Sequence, residues 1–219
     1  MKLLANKIFK IGFLLICGFG IYLNLVGVPN LLELISYFTM ASNTVVLIVI
    51  ILELLKIFKI YQVSDGFLRV LKGSAIIATL VTMLVYNFVL IPYLQNNDVN
   101  YQIFSLKDFL VHYVTPILIM LDYLIFDKKG TYRPTDLLPL IIYPVGYIIY
   151  VIIYVSLGGR FTLTGVASKF PYFFFNYETQ GIPLTVLILF LLTSMFYGLG
   201  ALLFSLDRLL KRNNKSINL

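Results

Sequence analysis

Long apolar runs, broken by short polar stretches, set the pattern of this chain. Six segments qualify as membrane spans: 8–26, 31–58, 73–94, 106–126, 137–157 and 182–206. About 20 predominantly apolar residues carry a helix across the hydrocarbon of a bilayer, where a helix satisfies its own backbone. The pattern therefore predicts an all-α, polytopic membrane protein, with residues 1–219 forming a single six-transmembrane-helix bundle. The second segment is longer than a crossing needs, so it is expected to tilt or to project into the cytoplasm.

Charge orients the bundle. Of the 17 Lys and Arg, only Lys107, Arg160 and Lys169 fall on one side of the six spans; the others cluster on the opposite side. That asymmetry places both termini in the cytoplasm, N-in and C-in. The net charge of +7 sits in short clusters between apolar runs, which suits anionic lipid heads and not a nucleic-acid partner. Charged residues make up 12% of the chain, against about a quarter in a soluble domain, and a soluble fold is excluded on that ground. Trp is absent, so the 16 Tyr are expected to carry the interfacial belt.

Few residues can hold a cofactor. One cysteine, Cys17, and one histidine, His112, allow neither a disulfide framework nor a Cys/His metal cluster, so no metal site and no cofactor are expected. Gly18-Phe19-Gly20 has no preceding strand, and neither a phosphate loop nor a Gly-x-Ser-x-Gly elbow occurs. Lys2, Lys7 and Lys10 precede an apolar run as in a signal peptide, but no small-residue cleavage site follows. This segment reads as an uncleaved first helix, and the lack of a sorting signal suits a bacterial plasma membrane.

Polar groups inside spans are costly and tend to face the interior of a bundle, so chemistry is sought there. On the fourth span Asp108, His112, Thr115 and Asp122 fall within a sector of about 80° at 3.6 residues per turn. On the second, Ser36, Thr39, Ser42, Asn43 and Glu53 fall within about 120° by the same geometry. Helical rise puts Thr39 roughly 12 Å and His112 roughly 9 Å below the outer ends of their spans. Tyr86 and Asn87 on the third span and Tyr150 on the fifth lie at a similar height. A neutral imidazole in such a layer is suited to act as a general base; a buried helix-to-helix hydrogen bond is the alternative for His112.

The remaining polar groups invite plainer readings. Asp108, one turn outward from His112, is placed to orient the imidazole, but beside Lys107 the favoured reading is a hydrated interfacial aspartate. Glu53 is expected to pair with Lys56, and Asp122 to sit at the cytoplasmic interface, leaving no charge pair deep in the bundle. Ser194, Gly198, Ala201 and Ser205 form a small-residue packing seam on the sixth span. Tyr143, Tyr147, Tyr150 and Tyr154 make a helical stripe suited to core or belt. In the outer loop, Phe170-Pro171-Tyr172-Phe173-Phe174-Phe175 is too short to span and too apolar for solvent. It is read either as a lid over a cavity or as an anchor at the membrane surface.

Several of these segments together resemble the androgen-induced-protein family and its bacterial six-helix relatives. The resemblance rests on Tyr37-Phe38-Thr39 with Ser42-Asn43, Val85-Tyr86-Asn87-Phe88, His112-Tyr113-Val114-Thr115-Pro116, Tyr143-Pro144 with Tyr147, and Phe170-Pro171-Tyr172-Phe173. Animal members of that family are membrane threonine hydrolases that cleave fatty acid esters of hydroxy fatty acids. The resemblance implies Thr39 as nucleophile and His112 as base, and a lipid or fatty-acyl ester as substrate. Asn43, Tyr86, Asn87, Thr115 and Tyr150 are the substrate-binding candidates, with Asn43 and Asn87 also the candidate oxyanion donors. The second functional class is a transporter or lipid-binding membrane protein that uses the same cavity without covalent chemistry.

Overall fold

The computed structural model describes residues 2–28, 30–96, 102–162 and 168–216, the side chains of 140–141 and 212–216 excepted. It is an all-α bundle with six helices long and apolar enough to cross a membrane, which makes the chain a multi-pass membrane protein. The elements are α1 (Lys2–Leu25), α2 (Leu31–Ile35), α3 (Phe38–Ile57), α4 (Asp65–Asn96), α5 (Leu106–Phe126), α6 (Leu137–Ser156), α7 (Tyr177–Gln180) and α8 (Ile182–Ser216). Three spans begin or end well beyond the apolar segments. The helix of α1 starts at Lys2, that of α4 at Asp65, and α8 continues to Ser216. Hydropathy marks the part of a helix that lies in hydrocarbon, whereas the helix itself runs on wherever its backbone bonds continue.

The second segment is two helices and not one. Ser36 and Tyr37 interrupt it, with Tyr37 extended at φ −73°, ψ 137°, so that α3 starts afresh at Phe38. A break inside a membrane protein leaves carbonyls that must find donors. The α6 tyrosines supply them. Tyr147 donates to the Ser36 carbonyl at 3.0 Å, and the Tyr150 hydroxyl meets Ser36 Oγ at 2.6 Å. Tyr143 and Tyr147 also pack edge-on against Phe38. The tyrosine stripe is thus a brace for the break.

Two further irregularities matter. Tyr86–Leu90 in α4 and Leu110–Val114 in α5 are π-helical turns, the kind of local widening of a helix often found at functional sites. The core between α1, α3, α4 and α5 is formed by Phe13, Cys17, Val46, Val49, Ile50, Ala75, Ile76, Ile77, Ala78 and Ile119. Small residues on α4 let α3 and α5 approach closely.

At the cytoplasmic end the structure corrects the charge assignments. Glu53 does not pair with Lys56, which bonds Asp65 instead. Glu53 takes Lys10 at 2.5 Å and Lys72 at 3.1 Å, and Asp122 takes the same two lysines at 2.6 Å and 2.5 Å. Lys72 also reaches Asp127 at 2.7 Å. Lys10 and Lys72 are only 2% exposed and Asp122 is fully enclosed, so these three are ions buried within the protein. Glu53, Asp122 and Asp127 approach one another within 4.8 Å, and the two ammonium groups lie among their oxygens. Sequence hides this because the partners lie on four helices, up to 112 residues apart.

The small-residue seam on α8 is also corrected. Ser194, Gly198 and Ser205 are exposed, and a Cβ on Gly198 would meet nothing within 4 Å. The face that packs inward carries Phe196, Leu203 and Asp207. Asp207 accepts from Tyr123 Oη at 2.8 Å and from the Tyr132 amide at 3.0 Å.

Removing one member of a buried ion network leaves its partners desolvated and short of charge. Asp122→Ala is therefore expected to destabilise the bundle by about 3–5 kcal/mol, and Asp65→Ala, at an exposed pair, by far less. Cys17 is 1% exposed, so its rate of maleimide labelling during heating in detergent reads unfolding in both variants.

Candidate functional site

The break at Ser36 and Tyr37 puts Thr39 in the first turn of α3, and the π-turn of α5 swings His112 toward it. Thr39 Oγ1 lies 3.3 Å from His112 Nε2. The other ring nitrogen, Nδ1, donates to the Asp108 carbonyl at 3.0 Å. A carbonyl can only accept, so Nδ1 carries the proton, and in the neutral ring Nε2 is then the acceptor facing the threonine hydroxyl. The imidazole is stacked on Tyr86, with centroids 3.7 Å apart and planes 12° from parallel. Both stacked residues belong to π-turns, one in each helix.

Asn43, one turn below Thr39, ties the two helices. Its Nδ2 donates to the Thr39 carbonyl at 2.8 Å and to the Val111 carbonyl, within the α5 π-turn, at 3.1 Å. Ser42 Oγ donates to the same Thr39 carbonyl at 3.0 Å and meets Thr82 Oγ1 at 3.2 Å. The hydroxyl and the imidazole are thus held from below by a fully buried amide.

Above them opens a cavity of about 200 Å³. Thr39, His112, Tyr86 and Asp108 form its floor, and Asn24, Asn176 and Ser168 add polar groups around it. Residues Phe170 to Phe173 of the outer loop cover it, and Phe173 stacks on Tyr93 of α4 at 3.7 Å. Of the two readings of the aromatic run, the lid is the one this geometry supports; residues 163–167 of that loop lie outside the described residues. Burial pushes the Tyr172 phenol up to about 12, while the neighbouring Thr39 side chain and the backbone of Phe38 and Thr39 pull the other way. Tyr172 thereby lies at the N-terminus of α3, where the N-cap residue Tyr37 gives the first amides no side-chain bond.

The expected site divides. Thr39, His112 and Tyr86 come together as anticipated. Asn43 and Asn87 cannot serve as oxyanion donors as they stand. Both Asn43 bonds go to carbonyls, and Asn87 Nδ2 donates to the Met83 carbonyl at 2.7 Å while its Oδ1 accepts from Tyr113 at 2.6 Å. Thr115 is buried a turn below against Cys17, and Tyr150 braces Ser36 from outside; neither lines the cavity. Asp108 is 1% exposed, bonded by Ser105 Oγ at 3.0 Å, and its carboxylate lies 3.9 Å from His112 Nδ1. It belongs to the site and is not a hydrated surface group. Asn24 was missed although a signal for it existed: Asn6, Lys10, Cys17 and Asn24 fall within about 40° on α1. Tyr172 was not assigned to the site because the loop's path is not encoded by any periodicity.

No family model, no curated protein and no solved structure matches this chain.

Without Asn43 the Val111 carbonyl loses its side-chain donor, whereas the Thr39 carbonyl keeps Ser42 Oγ; one buried acceptor left short costs about 1–3 kcal/mol. Asn43→Ala is expected to lose stability by that amount in the Cys17 labelling assay, whereas Asn24→Ala, at the cavity wall, is expected to change it little.

Proposed function

We propose that this protein is a membrane-embedded hydrolase of lipid esters, with Thr39 as nucleophile and His112 as general base, working in a bacterial plasma membrane. One observation carries the reading: a threonine hydroxyl 3.3 Å from an oriented, accepting imidazole nitrogen, on the floor of a covered cavity. Such contacts are often long without substrate and tighten in the reacting complex. The resemblance to the androgen-induced-protein family supports the same two residues, and the ester of a hydroxy fatty acid as a fitting substrate.

The chemistry follows from the groups present. His112 Nε2 takes the proton of Thr39 Oγ1 as the oxygen attacks the ester carbonyl, giving a tetrahedral oxyanion and an imidazolium. The Asp108 carbonyl holds Nδ1–H throughout, and the nearby Asp108 carboxylate favours the positive ring. The first amides of α3, at Phe38 and Thr39, are candidate donors to the developing charge, and the Tyr172 phenol beside them is another. Collapse of the intermediate breaks the ester C–O bond, and the departing alkoxide takes the proton from Nε2. Water from the outer cavity then gives its proton to Nε2 and attacks the acyl-threonine. The carboxylic acid leaves and Thr39 recovers its proton.

A fluorophosphonate probe tests this on membranes holding the wild type, Thr39→Ala, Thr39→Ser and His112→Ala. Labelling is expected in the wild type and in Thr39→Ser, to vanish in Thr39→Ala, and to slow by about 10²–10⁴-fold without the base. Absence of labelling in folded wild type would sink the hydrolase reading. The same cavity would then be that of a transporter or lipid-binding protein without covalent chemistry.

A further inference from the structure

Thr39 also borders a second space, enclosed between α3, α4, α6 and α8. This narrow cavity of about 60 Å³ is walled by Phe38, Tyr172, Phe174 and Phe196. It shares Thr39, Leu90 and Tyr172 with the covered outer cavity. It also shares Val85, Phe174 and Leu192 with a third space of about 470 Å³, a groove between α4 and α8. That groove is lined by Leu84, Val85, Phe88 and Val89 on one helix and Ile188, Leu191, Leu192 and Met195 on the other. Every residue lining it is apolar. Phe88 is 76% exposed there, on a stretch of helix that faces lipid.

The three spaces lie side by side with shared wall residues, and their chemistry changes from one to the next. The groove meets the bilayer and offers no hydrogen-bonding side chain. The outer cavity carries Asn24, Asp108, Asn176 and Ser168. Thr39 stands at the boundary between them. An ester whose carbonyl sits at that boundary would extend its hydrocarbon acyl chain toward the lipid and its more polar alcohol half toward the asparagines. The aromatic neck between Phe38, Tyr172 and Phe174 is narrow, which suits a single unbranched chain.

We infer that the acyl chain of the substrate reaches Thr39 laterally from the bilayer, through the groove between α4 and α8, and that Val85 and Leu192 at the neck set acyl-chain selectivity. The groove shares Val85, Phe174 and Leu192 with the space beside Thr39, and a chain already dissolved in the bilayer crosses no water to enter it. The π-turn at Tyr86–Leu90 serves both ends of this arrangement. It buries Tyr86 against His112 while turning Phe88 and Val89 toward the groove. The inference rests on the reading of Thr39 as nucleophile only for the fate of the ester; the route itself is a matter of binding.

Two measurements separate the route from the chemistry. The first uses palmitic acid carrying a terminal diazirine, photolysed with the protein in nanodiscs and mapped by peptide mass spectrometry. Adducts are expected to concentrate on 84–89 and 188–195, and to be lost from these segments in Val85→Trp and in Leu192→Trp. Adducts spread evenly over all lipid-facing helices, or unchanged in both variants, would overturn the route. The second compares turnover of 4-nitrophenyl palmitate and 4-nitrophenyl acetate. The palmitate-to-acetate ratio is expected to fall by about tenfold or more in either variant, because a blocked pocket rejects the longer chain. An unchanged ratio would also overturn the inference. If wild type cleaves neither ester while the adducts map to the groove, the hydrolase reading fails and the acyl-binding route stands. Variants count only if Cys17 stays protected from maleimide.

Discussion

An ammonium ion enclosed by protein must find negative charge, and in this bundle two of them find the same pair of carboxylates. Lys10 on α1 and Lys72 on α4 both bond Glu53 on α3 and Asp122 on α5. The desolvation of each ion is offset only in one arrangement, because a slide or turn of any helix by one residue would separate its charge from the rest. Four helices are thereby held at fixed height and rotation. The site depends on that register: with α3 and α5 pinned at the cytoplasmic end, their outer ends bring Thr39 and His112 within 3.3 Å.

The outer half obeys a related rule with uncharged groups. Each departure from regular helix frees backbone atoms that apolar surroundings cannot satisfy. At the break before α3, Tyr147 bonds the Ser36 carbonyl; at the α5 π-turn, Asn43 bonds the Val111 carbonyl. These departures are also what aim the reactive groups. Had residues 31–57 formed one continuous helix, Thr39 would lie mid-helix, its amide bonded within the turn and unavailable to a ligand. Irregular backbone, satisfied by neighbouring side chains, is thus the means by which an otherwise plain bundle acquires a polar, covered cavity.

Residue patterns carried some of this and not the rest. The polar stripe of α5 was legible because helical geometry forces Asp108, His112, Thr115 and Asp122 to one face whatever surrounds them, and all four are buried. Which of them touch the cavity was not legible. Thr115 and Asp108 share that face, yet Asp108 lines the cavity and Thr115 packs on Cys17. Glu53 was assigned to Lys56, three residues on, since local spacing is all a sequence displays; its actual partners are 43 and 19 residues away.

By itself, the sequence determined six apolar helices and a bias of basic residues to one side, along with an inward histidine and a threonine at similar depth. Solvent transfer and helical periodicity are properties of short segments, so they can be read without a fold. Only the tertiary structure decided the break before α3, the two π-turns, the sharing of buried charges, and the folding of the aromatic loop over Thr39. Those features arise where distant segments satisfy each other's charges and hydrogen bonds, and the physical demand for satisfaction does not name the partner until the helices are packed.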